Sequence, residues 1–153
     1  MEICLPDKKR VVFCIHDSGD HGEKAWASVI KEAGDDPDVT NKAEIRADVS
    51  RQVSGNRSQD TEADNYNIII KGGRGVGIVT KPGLPVAIGK PAINPVPMEM
   101  IRGSVLEAIQ NSKFKIQNSI QVTISVPNGE EMAGKTLNSR LGIIGGISIL
   151  GTT

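Results

Sequence analysis

The stretch "NIIIKGGRGVGIVTKPG" (residues 67–83) decides the fold. Ile68–Ile70 is a short β-branched run that leads straight into glycines at 72, 73, 75 and 77. A dinucleotide-type or class I methyltransferase loop also begins with a strand and glycines. It must then open a helix, whose N-terminal N–H groups and positive dipole end receive the ligand, and it carries an acidic residue about 20 positions on. The strand is present here. The helix is not, because "VGIVTKPG" is β-branched and broken by Pro82, and the region around position 93 reads "PAINP", without an acid. The stretch therefore predicts two strands around a glycine turn or bulge. The glycines still let a flat ligand or an anion approach the main chain, with Arg74 and Lys81 beside them.

Working outward, "EICLPDKKRVVFCI" near the start reads as a hairpin turning at Asp7-Lys8. With that turn Cys4 faces Val11 and Cys14 faces Met1 on the opposite side, so the two cysteines cannot be bridged. Both read as small hydrophobes in a reducing compartment. "HDSGDHGE" (16–23) is expected to be a polar loop. "KAWASVIKEAG" fits either a helix stripe of Ala25, Val29, Ile30 and Ala33 closed by Gly34, or a buried strand over "WASVI". "AEIRADV" (43–49) alternates as a half-buried strand does, and residues 50–66 read as a flexible surface loop. Prolines 82, 85, 91, 95 and 97 make 82–97 extended. "PMEMIRGSVLEAIQNS" follows as a helix with Pro97 in its first turn and an apolar stripe of Met98, Ile101, Val105 and Ile109, with Leu106 beside them. "SIQVTISVP" is a strand turning at Asn128-Gly129, "GEEMAGKTL" a short helix, and "LGIIGGISILGTT" a glycine-punctuated strand. The sum is a single α+β domain over 1–153, with a mostly antiparallel or mixed sheet, one or two packed helices and no Rossmann-type core.

Composition narrows the function. The 153 residues are 38% apolar and 24% charged, as in a globular domain that needs no staples. Eighteen basic and eighteen acidic side chains cancel, and aromatics are 3%, so neither the field nor the stacking platforms for nucleic acid are present. No apolar run approaches the roughly 18 residues of a membrane span and no signal peptide opens the chain, so no membrane association and a cytoplasmic location are expected.

Two clusters carry possible chemistry. "GDDPDVT" sets Asp35, Asp36 and Asp38 around Pro37. One reading is an Asx-turn cap with solvated charges. The other is a carboxylate cluster whose repulsion raises one pKa, giving a proton acceptor or an anchor for a cationic group. Nothing in the spacing demands a divalent cation. His16 and His21, flanked by Asp17 and Asp20, lie five apart, which suits no regular element, so a solvated loop is expected there rather than a metal site.

Four segments together carry a family resemblance: "KEAGDDPDVTNKAEI", "GGRGVGIVTKPGLPVAIGKPAINPVPMEMI", "ISVPNGEEMAGKTLNSRLGI" and "IGGISILGTT". They resemble the CbiD family, cobalt-precorrin-5B C(1)-methyltransferases of the anaerobic cobalamin pathway. The resemblance implies S-adenosylmethionine as methyl donor, a cobalt-corrinoid substrate methylated at carbon 1 to give cobalt-precorrin-6A, and a fold unlike the other methylases of that pathway. It also implies a preceding "TTGTCA"-like segment and a following Rossmann-like half, so this chain is expected to be the first-domain part of a larger two-domain enzyme. By the same resemblance, Asp35, Asp36 and Asp38 are implicated as catalytic. Thr40, Gly73, Gly75, Gly77, Thr80, Lys81, Asn94, Asn138, Arg140, Gly145, Gly146, Ser148 and Thr152 are implicated in substrate binding. Taken alone, the segment has a second reading, a non-catalytic corrinoid-binding or oligomerisation module.

Overall fold

"SIQVTIS" alternates apolar and polar residues, and the resulting strand is the spine of the molecule. The computed structural model describes residues 2–4, 9–35, 37–52, 67–112 and 119–150. Thirteen elements follow in order: β1 (Glu2–Cys4), β2 (Arg10–Val12), β3 (Asp17–His21), β4 (Lys24–Ile30), β5 (Glu44–Gln52), β6 (Ile68–Gly72), β7 (Gly75–Val76), β8 (Ile78–Val79), α1 (Pro95–Gln110), β9 (Ser119–Ser125), α2 (Gly129–Ala133), β10 (Ile143–Ile144) and β11 (Gly146–Ile147).

Five strands form the main sheet in the order β3-β4-β5-β9-β6. β9 pairs antiparallel with β5, Arg46 opposite Ser125, and parallel with β6, Ile68 opposite Ile120. A parallel neighbour needs a crossover, and α1 supplies it between β6 and β9. Pro95 and Pro97 suit the first turn of α1, where the missing N–H groups have no helical partner to lose. Its Met98, Ile101, Val105 and Ile109 pack on Ile120, Val122, Ile124 and Val126, the inward face of β9 and its continuation. Period 3.6 on the helix thus meets period 2 on the strand. The fold is α+β with a mixed sheet and two helices, as the sequence implies.

Several local expectations change. Residues 24–30 resolve as a strand, because "KAWASVI" has sheet partners on both sides: Trp26 lies opposite Asp48 and Gly19, and Val29 opposite Ile45. The expected polar loop at 16–23 is largely β3, an edge strand. An edge needs hydrogen bonds on one side only and tolerates charge, so a run of polar residues can serve. The turn into β4 uses Gly22 at φ +65°, and Gly19 leaves room for the Trp26 ring, which a β-carbon would approach to 2.9 Å. In the first hairpin Cys4 pairs with Arg10 rather than Val11, a register shift of one. Cys14 falls beyond β2 and is an exposed free thiol rather than a packed small hydrophobe. β5 runs on through Gln52, into the expected loop, and 53–66 lies outside the described residues. Within 82–97 the expected extended chain ends at Asn94, before α1 begins at Pro95, and it meets the rest of the fold through the bridges Ile78–Pro91 and Ile93–Ile149 and the Gly89 N–H to Val79 O bond. The final apolar run is split by Gly145 (φ +80°) into β10, antiparallel to β8, and β11, parallel to β7. Among the described residues no helix is long and apolar enough to cross a membrane.

Candidate functional site

The glycine turn after β6 is a packing junction. The Gly73 N–H donates to Ile124 O at 2.7 Å and the Val126 N–H to Arg74 O at 2.8 Å, holding the turn against the end of β9. Gly75 then sits at φ +73°, where a β-carbon would lie 1.9 Å from Val126 O. Gly129, at the start of α2, and Gly146, in β11, close on the same peptide: β-carbons there would stand 2.1 and 2.3 Å from Gly75 O. Gly77 meets Ile143 Cγ2 at 2.4 Å by the same construction, and its N–H donates to Ile147 O at 2.9 Å. These glycines let three chain segments approach each other, so their open sides are filled by the protein itself.

The same junction gathers most of the remaining implicated residues. Thr80 donates both its N–H (2.7 Å) and its hydroxyl (2.8 Å) to Gly142 O. The Lys81 stem lies on Gly142, where a β-carbon would be 2.5 Å from Lys81 Cβ. The Asn94 N–H donates to Ile149 O, and the Ile143 N–H to Asn138 O. The Asn138 amide reaches Gly146 O at 3.4 Å. Ser148 follows β11 half-buried, while Arg140 and Gly145 are exposed. Thr152 lies outside the described residues.

Between α2 and β10–β11 opens a cleft of about 290 Å³, lined by Glu130, Ala133, Ser139, Ile144, Gly145 and Gly146 among others. Glu130, Ser139 and Ile144 carry no sequence signal as site residues. They become neighbours only because α2 folds across β11.

The aspartate loop joins β4 to β5. Asp38 accepts from the Thr40 N–H at 2.7 Å, from the Thr40 hydroxyl at 2.8 Å and from Lys31 Nζ. Lys31 Nζ also reaches Thr40 Oγ1 at 2.6 Å. The Lys31 hydrogen bond, followed by those of Thr40, lowers the Asp38 carboxyl to about 2. That is opposite to the rise expected from crowded carboxylates. The reason is local: the chain turns Asp38 onto a cation, in an Asx-type turn, instead of onto Asp35, which is exposed. Asp36 lies outside the described residues. Asp38 and Thr40 thus form one unit and the glycine junction another. Both sit at the same end of the sheet, where β4 and β9 finish and β6 enters its turn. β5 and β6 flank β9, so they are separated by two strand spacings, about 10 Å.

His16 and His21 bracket the exposed edge strand, and among the described residues no group of three or more His, Cys, Asp or Glu is arranged to hold a metal ion.

The CbiD family model matches residues 1–153. The chain belongs to the CbiD family. It is 51% identical to a cobalt-precorrin-5B C(1)-methyltransferase of Geobacter sulfurreducens, a match covering 99% of this chain and 40% of the relative. It is 49% identical to one of Leptospira interrogans, covering 100% of this chain and 38% of the relative. The chain therefore spans about two-fifths of the length of the curated relatives it matches. Among solved structures, the crystal structure of the cobalamin biosynthesis protein CbiD from Archaeoglobus fulgidus aligns with a TM-score of 0.66 at 29% identity, over 100% of this chain and 43% of that one. This CbiD chain keeps its glycine junction and aspartate loop on one end of a mixed sheet, without the helix that a dinucleotide-type loop would require.

Proposed function

We propose that this chain is the corrinoid-receiving part of an enzyme that transfers a methyl group from S-adenosylmethionine to carbon 1 of cobalt-precorrin-5B, giving cobalt-precorrin-6A and S-adenosylhomocysteine. The two-fifths match to relatives of that name, at about half identity, carries the reading. Fold resemblance alone would not, because function resides in the site.

The glycine turn does not fit the methyl donor. Its open sides are filled by Val126, Gly129 and Gly146, and β7 rather than a helix N-terminus follows it. We therefore assign the donor to the part of the enzyme that this chain does not span, and treat this chain as the first domain of a two-domain protein.

What these residues can do is hold and orient. The substrate is a macrocycle rimmed by acetate and propionate carboxylates. Arg74, Lys81 and Arg140 are exposed around the junction with no ion pair among the described residues, and fixed cations of this kind suit carboxylates. Thr80, Asn94, Asn138, Gly145, Gly146 and Ser148 hold the surface that presents them. In the aspartate loop Asp38 stays ionised and engaged, so it positions Lys31 and Thr40. Asp35, exposed and without a partner among the described residues, is the carboxylate we assign to proton acceptance.

The test is a chimera in which residues 1–153 replace the matching segment of the Geobacter sulfurreducens relative, assayed with labelled S-adenosylmethionine and cobalt-precorrin-5B. Methyl transfer should persist. Lys81→Ala in the chimera should raise KM about tenfold with kcat retained, the signature of lost uniform binding. Unchanged KM and kcat would remove Lys81 from the site, and no methyl transfer by the parent chimera would remove the function.

A further inference from the structure

Thr80 and Lys81 grip the same residue, Gly142. Thr80 gives its N–H (2.7 Å) and its hydroxyl (2.8 Å) to the Gly142 carbonyl. Lys81 lays its stem on the Gly142 α-carbon. A β-carbon there would stand 2.5, 2.6 and 2.9 Å from Lys81 Cβ, Cγ and Cδ. Gly142 is buried at φ +81°, and its own N–H is given to Ser139 O at 3.2 Å. It lies outside the residues that the family resemblance implicates.

A lysine on an open surface samples many rotamers, and an anion that binds it must freeze them. Lys81 is restrained before any ligand arrives. Pro82 behind it disfavours the helical region for its backbone. The Thr80 bonds fix the chain just ahead of it, and the bare Gly142 α-carbon receives its stem from Cβ to Cδ. Lys81 as a whole stays exposed, with no ion pair among the described residues.

Resting on the reading of Lys81 as a carboxylate anchor, we propose that Gly142 is a positioning residue for it. The missing side chain at 142 is the seat of the Lys81 stem, and Thr80 holds that seat in place. The ammonium thus meets a carboxylate with part of its rotamer freedom already lost, which strengthens binding without any new contact. The left-handed backbone of Gly142 also serves the turn into β10, and the two roles separate by experiment. Gly89 has the same φ, +81°, with nothing within 4 Å of an added carbon. Gly89→Ala therefore carries the backbone strain without the collision.

Two measurements are paired. On the 153-residue chain, NMR reads the Lys81 methylenes. The parent should show NOEs from Gly142 Hα to Lys81 Hγ and Hδ, with restricted Cγ and Cδ motion in 13C relaxation. Both should persist in Gly89→Ala and be lost in Gly142→Ala. In the methyl-transfer chimera, Gly142→Ala should raise KM about three- to tenfold with kcat retained, while Gly89→Ala stays within about twofold. Added to Lys81→Ala, Gly142→Ala should have no further effect on KM, because its action passes through Lys81. The same KM rise with the Lys81 side chain absent would overturn the proposal. So would Lys81 methylenes as mobile in the parent as those of a free surface lysine, a result that needs no variant and holds even if Gly142→Ala fails to fold. Restricted methylenes with an unchanged KM in Lys81→Ala would instead sink the anchor reading, and the role in binding with it, while the seat itself stood.

Discussion

Gly75→Ala isolates the physical cause of the junction. The residue has φ +73°, and a β-carbon would stand 1.9 Å from Val126 O and 3.0 Å from the Gly129 α-carbon. The left-handed backbone alone costs an alanine about 1–2 kcal/mol. The overlap falls on backbone atoms that are themselves held by the Val126 N–H to Arg74 O bond, so relief requires moving β7 as a whole, at an overpacking cost of about 1–3 kcal/mol. The sum is about 2–5 kcal/mol against a domain stability of about 5–15 kcal/mol. Gly145→Ala is the matched control. It shares the left-handed conformation, at φ +80°, but nothing lies within 4 Å of the added carbon, so only the backbone cost of about 1–2 kcal/mol remains. In denaturant unfolding, Gly75→Ala should lower the midpoint well below that of Gly145→Ala at unchanged slope. In thermal unfolding the two should fall by roughly 4–20 °C and roughly 2–8 °C respectively. Equal losses in the two variants would refute the close-packing account and return the turn to an open, ligand-facing role.

Two further outcomes concern the sheet and its loop. Asp38 has a folded-state pKa of about 2, below its ordinary 3.8, so the stability it supplies is complete above pH 4 and is lost as pH falls toward 2. Asp38→Asn should cost about 1–2 kcal/mol at neutral pH, the loss of charge-assisted bonds in a partly exposed site, and should flatten the acid limb of a stability–pH profile; parallel limbs would refute it. Arg46 lies 3.9 Å over the Trp26 ring and forks onto Asp48 through Nε and Nη2. Arg46→Gln should shift the emission of the single tryptophan to the red; an unchanged spectrum would show that the stack is not populated in solution.

Elements whose pattern is decided within the segment were legible. The alternation of "SIQVTIS" gives β9, the 3.6 period from Met98 to Ile109 gives α1, and the lack of a helix after "KGGRGVG" excludes a dinucleotide-type loop. Elements decided by a neighbour were not. "DSGDH" has no strand character of its own and becomes β3 because β4 offers a free edge, and "KAWASVI" is settled as a strand by β5 on its other side. The first hairpin pairs one residue away from the expected register, which the residues of its two strands do not specify by themselves.

The candidate site divides in the same way. Sequence by itself determined the membership of the family and the small set of segments that matter, because long motifs survive in order along the chain. The sign of the Asp38 shift came from Lys31, seven residues away across a turn whose shape no spacing reveals. The role of the glycines came from Val126, Gly129 and Gly146, segments up to 71 residues distant that close on Gly75. The exposed Ile78–Ile144 pair exists only because β10 meets β8 in one register. A local pattern fixes what a segment can become, since propensity and period act over a few residues. Which backbone fills a glycine's open side, which cation meets a carboxylate and which apolar pair is left outside are contacts between distant segments, and the tertiary structure alone decides them.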